Sequence, residues 1–111
     1  MGTITKKSFD RPDETMDGDK QKVEVVALGG IKLKKVTAEP DWQWSKHVKP
    51  VVKTDSCERD HLLYVISGRL ASRLDDGQQE EFGPSEIAHI PPGHDGWTVG
   101  DEPAVWLEIL H

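Results

Sequence analysis

Short β-branched runs broken by glycine and proline turns recur from residue 23 to the end of this chain, and no stretch repeats apolar residues at helical spacing. VEVVAL (23–28) and IKLKKVT (31–37) flank Gly29-Gly30, a hairpin signal. HLLYVIS (61–67) suits a buried strand, and RLASRL (69–74) stops at the strong turn Asp75-Asp76-Gly77. QQEEF, EIAHI, GWTVG and AVWLEIL follow, set apart by Gly and Pro. Trp42 and Trp44, at a spacing of two, predict one face of a further strand. Eight or nine short strands joined by turns predict an all-β chain folded as a double-sheet sandwich or closed barrel.

The 111 residues are enough for one domain and one core. Residues 1–22 are polar and carry Pro12 and Gly18, which predicts an extended or disordered arm, with Phe9 as a residue able to pin it. The folded barrel is expected over 23–111. A formal net charge of −6 opposes sequence-independent binding to nucleic acid or anionic membranes, both of which need a basic footprint. Lys32, Lys34 and Lys35 read as the solvated side of a strand. Cys57 is the only cysteine, so no internal disulfide can form and a reducing compartment is expected. The N-terminal stretch lacks the apolar segment of a signal peptide, and no window is apolar enough to span a bilayer. A cytoplasmic protein is the expectation.

The chemistry concentrates in DSCERDHLLYVISG (55–68), where Asp55, Cys57 and His61 precede an apolar run that ends in Gly68. HLLYVISGRL with its DDG turn, and PSEIAHIPPGHDGW with Pro91-Pro92-Gly93, resemble the two motifs of the cupin superfamily. FDRPDE, WQWSKHVKP, TDSC, YVISGR, PPGHD and GDEP, in that order from Phe9 to Leu110, look like a subgroup of small single-domain cupins. The resemblance implies a single double-sheet jelly-roll barrel, a metal held inside it, and a homodimer.

The family's first motif reads His-x-His, three or four residues, Glu, six residues, Gly. Counting back from Gly68 puts His61 in the Glu slot, Cys57 in the second His slot and Asp55 in the first; Gly96 falls in the His slot of the second motif. A second alignment treats 49–60 as an insertion and draws on His47, Cys57, His61 and His94, since positions 94 and 96 of an extended chain point the same way. Neutral imidazoles with one thiolate suit a divalent transition metal (zinc, iron, nickel or copper) better than magnesium or calcium. Trp97, Asp55 and Trp44 are the candidate pocket residues, although Asp55 also reads as a loop cap and Trp44 as core. His89 reads as structural, and Trp106 as core. The expected function is a barrel binding one metal and a small-molecule ligand or substrate. The alternative is a metal-free, non-catalytic binding or regulatory module, and the sequence leaves enzyme and binder both open.

Overall fold

The computed structural model describes residues 2–57 and 59–110. Nine strands run through them: β1 (Glu14–Gly18), β2 (Gln21–Leu28), β3 (Ile31–Ala38), β4 (His61–Ser67), β5 (Arg69–Leu74), β6 (Gln79–Phe82), β7 (Ile87–Ile90), β8 (His94–Val99) and β9 (Ala104–Leu110). Two short helices, α1 (Trp44–His47) and α2 (Lys49–Val52), lie between β3 and β4. A six-stranded sheet in the order β1-β2-β3-β9-β4-β7 faces a three-stranded sheet in the order β6-β5-β8, and every pairing is antiparallel. The result is an all-β jelly-roll barrel.

Local turn chemistry sets the strand limits. Gly29 and Gly30 both take positive φ, 61° and 80°, between the paired ends Leu28 and Ile31, which is the two-residue primed turn that matches strand twist. Gly68 at φ 72° turns β4 into β5 where a Cβ would strike Pro103 O and lie 2.8 Å from Ala104 Cα.

Register then assembles the interior. Val25, Lys34, Glu108 and Leu63 form one inward row across β2-β3-β9-β4, and Val23, Val36, Trp106 and Val65 form the next. The second row is buried throughout, with Val65 fully so. Burying these side chains against Trp42, Trp44, Leu70 and Ile90 gives the core, at roughly 1.5–3 kcal/mol for each large apolar side chain.

Three expectations need correction. Within the polar arm, Glu14–Gly18 is a strand paired with β2, and Asp13 reinforces it by accepting a hydrogen bond from Ala27 N at 2.8 Å. All of β1 is exposed, so its backbone ladder holds it and no apolar pattern marks it. Trp44 starts α1 instead of continuing a strand, because Asp95 accepts hydrogen bonds from Ser45 N (3.0 Å) and Gln43 Nε2 (2.8 Å) and ties the segment to β8. Lys34 points inward and pairs with Glu108 at 3.1 Å, while Lys32 is exposed at the strand's start and Lys35 is half-buried on the opposite face.

Candidate metal centre

Cys57, His61 and His94 present one donor atom each, all within 4.8 Å of one another. Three elements bring them together. His61 opens β4 with Leu63 and Val65 on its face. His94 opens β8, whose inward positions are His94, Gly96 and Thr98. Cys57 is stitched to the Pro-Pro-Gly-His turn by Cys57 N→His94 O (2.7 Å) and Gly93 N→Cys57 O (2.7 Å). Backbone hydrogen bonds, not loop chance, therefore fix the thiol beside the imidazoles.

Each imidazole is oriented from behind. His94 Nδ1 lies 2.7 Å from Pro91 O; a carbonyl only accepts, so Nδ1 carries the proton and Nε2 is left as a ligand atom. His61 Nδ1 donates to Glu108 Oε1 at 3.0 Å, which turns its Nε2 toward Cys57 Sγ at 3.5 Å. The two rings meet edge-on with centroids 5.0 Å apart. Glu108 also accepts from Trp106 Nε1 (2.9 Å) and pairs with Lys34 Nζ (3.1 Å). A line of alternating charge thus runs Lys34, Glu108, His61, Cys57.

The acid–base consequences follow from burial set against these contacts. Burial alone would raise the Cys57 pKa, but hydrogen bonds from His61, His94 and the Arg59 backbone outweigh it and bring the thiol to about 6. Burial alone would lower His61, but its hydrogen bonds to Cys57 and Glu108 hold it up to about 9. Burial alone would raise Glu108, but the His61 hydrogen bond and the Lys34 charge pull it down to about 2. Both shifts favour a thiolate beside an imidazolium at neutral pH.

The donors sit in the wall of a cavity of about 350 Å³ at the lower end of the small-molecule range, roughly 300–1,000 Å³. Trp42, Trp44 and Trp106 supply much of its apolar lining, with Trp42 and Trp106 tilted at 56° and 6.1 Å apart. Trp42 Nε1 is buried without an acceptor among the described residues.

Of the expected ligands, Cys57, His61 and His94 converge and His47 does not. His47 sits on α1 with Nδ1 held 3.0 Å from Gln43 N and 3.1 Å from Gln43 O, and it does not line the cavity. Of the expected pocket residues, Trp44 lines the cavity; Asp55 is exposed in the preceding loop, and Trp97 alternates to the other face of β8. His89 pairs with Asp60 at 2.7 Å outside the site. Sequence reasoning missed Glu108, Lys34 and Arg59. Glu108 carried a signal: it is the lone acid of AVWLEIL, in phase with Trp106 and Ala104.

No family model matches the chain, and no curated protein matches it. Solved structures do. The polyketide cyclase RemF from Streptomyces resistomycificus is 18% identical, with a TM-score of 0.67 over 96% of this chain and 78% of that one. The Cupin_2 domain of an XRE family transcriptional regulator from Enterobacter cloacae is 14% identical, with a TM-score of 0.61 over 84% and 97%. The oxalate decarboxylase of Bacillus subtilis, whose Mn(II) centres have been studied, is 23% identical, with a TM-score of 0.60 over 88% of this chain and 27% of that one. By fold, this chain is a small cupin-type domain. No helix among the described residues is long and apolar enough to cross a membrane.

Proposed function

We propose that this cupin-type barrel binds one divalent transition metal through Cys57, His61 and His94 and takes a small-molecule ligand or substrate into the adjoining cavity. The convergence of the three donors within 4.8 Å in the cavity wall carries the reading. Ligand atoms around a tetrahedral zinc lie roughly 3.3–3.7 Å apart, and the Cys57–His61 separation of 3.5 Å already falls in that span. Two imidazoles and a thiolate match zinc, iron, nickel or copper. They match the manganese of the oxalate decarboxylase poorly, because a hard ion prefers oxygen donors. When bound, such a metal supplies Lewis-acid polarisation or water activation. The chain's own part is to hold the ligands: Glu108 behind His61, and Pro91 O behind His94.

Cobalt(II) titration tests this. Uptake of one cobalt per chain with a thiolate-to-cobalt charge-transfer band, lost in Cys57→Ser, supports the site. Absence of cobalt uptake under reducing conditions refutes it.

One observation favours a second reading, a metal-free binding barrel: Lys34, Glu108, His61 and Cys57 satisfy one another without any ion. The same titration separates the two. A thiolate-dependent site also fits a reducing, cytoplasmic setting. For assembly, we propose a second copy of the chain on the outer face of the larger sheet, where Tyr64, Ile66 and Ile87 stand exposed on β4 and the edge strand β7. Sedimentation of the Ile87→Lys variant as a monomer against a dimeric parent supports this, and a monomeric parent refutes it.

A further inference from the structure

We infer that the cavity selects a small anion, a carboxylate with a flat apolar body, recognised by Arg59 and Lys34 beside the metal ligands. The inference rests on the reading of this cavity as a ligand site and adds the charge of the ligand.

The first ground is the inventory of donors and acceptors in the cavity wall. Glu108 is the only carboxylate lining it among the described residues, and its oxygens already receive Lys34, His61 and Trp106. It has little capacity left to bind a ligand donor. Lys34 gives one of its three N–H groups to Glu108 and has no other partner among the described residues, so two remain. Arg59 lines the cavity from an exposed loop position, and its side chain has no ion-pair or hydrogen-bond partner among the described residues. Unused donors therefore outnumber unused acceptors away from the metal ligands, and a ligand must bring the acceptors.

The second ground is charge. A divalent ion on one thiolate and two neutral imidazoles leaves one positive charge, Lys34 and Glu108 cancel, and Arg59 adds another. Without metal, Lys34 and Glu108 still cancel as an ion pair and Arg59 leaves the wall positive. This contrasts with a chain whose formal net charge is −6. In a partly enclosed apolar wall such a local charge acts at higher strength than in bulk water. The body of the ligand is set by the tryptophans: Trp42 and Trp106 tilt across the core, and Trp44 completes an aromatic wall suited to a flat ring.

The test uses the full chain, with and without zinc, and three probes of one shape: benzoate, benzamide and benzylamine. Tryptophan quenching reads their binding. The expected result is benzoate bound about tenfold more tightly than benzamide, with benzylamine weakest. Arg59→Gln should remove most of the benzoate preference and leave benzamide unchanged. Equal binding of benzoate and benzamide, an unchanged preference in Arg59→Gln, or failure of benzoate to bind overturns the inference. If zinc does not load and the benzoate preference persists, the metal reading fails and this one stands. If zinc loads and the preference is missing, the reverse holds.

Discussion

Replacing Glu108 by glutamine is the sharpest probe of how the interior is held. The substitution keeps shape and removes the charge that faces Lys34 at 3.1 Å and His61 at 3.0 Å. The carboxyl falls from 4.5 to about 2 in the folded chain, which at about 1.4 kcal/mol per unit corresponds to about 3 kcal/mol in favour of the charged form. The rise of His61 is partly the same contact seen from its other end, so the two are not added. The glutamine carbonyl still accepts one hydrogen bond, and the expected loss is about 2–3 kcal/mol. For a chain of this length that is a melting temperature lower by about 10 °C.

The pH dependence gives the argument its check. Because the folded pKa of Glu108 is depressed, its contribution is complete above 4.5 and is lost as pH falls through about 2. Cys57, depressed to about 6, has already lost its contribution below that value. His61, raised to about 9, keeps its contribution throughout acid pH. Between about pH 5 and about pH 3, then, only Glu108 among these three changes. Urea unfolding of both proteins at these two values should show a gap that shrinks by about half. A gap below about 1 kcal/mol at pH 5, or one that does not narrow, would refute the alternating-charge account.

Zinc loading near pH 7.5 should release about one proton per chain, because Cys57 is already a thiolate and His61 must give up its proton to ligate; calorimetry in buffers of different ionisation enthalpy reads the count, and a count of zero or two contradicts the assignment. His47→Ala should leave metal stoichiometry and affinity unchanged in a cobalt titration, since His47 Nδ1 is committed to Gln43; loss of uptake would restore it as a ligand. Gly68→Ala should destabilise by more than about 2 kcal/mol, because it combines a φ of 72° with a Cβ driven against the Pro103–Ala104 backbone; a parent-like melting curve would show that the turn relaxes.

Much of the barrel was legible because its signals are local. Gly29-Gly30, Gly68 and Asp75-Asp76-Gly77 end strands by their own backbone preferences, so β2 to β9 fall close to the expected runs. What stayed hidden depends on partners distant in sequence. β1 is held by a ladder to β2 without burial, and α1 by Asp95, which lies fifty residues along the chain from Ser45. Lys34 looks like a solvated strand lysine until register sets it opposite Glu108. The candidate ligands were legible as a set, but which of them face inward turns on phase. One residue of phase puts Trp97 outside and His94 inside, and a helix in place of a strand carries His47 away from Cys57.

The arrangement also bears on what the proposed metal would do for the fold. In small zinc domains the ligands have no other partners, and the chain unfolds without the ion. Here the ligand side chains already have partners: His94 Nδ1 on Pro91 O, with its Nε2 left open, Cys57 on His61, and His61 on Glu108, itself held by Trp106 and Lys34. The row beneath them, Val23, Val36, Trp106 and Val65, is buried apolar core that owes nothing to an ion. If the proposed metal binds, it would exchange one set of partners for another, and chelation should leave strand content and melting cooperativity in place. On the proposed reading the site would be a loading position on a preformed barrel, and a metal would displace the His61 proton that Glu108 helps to hold.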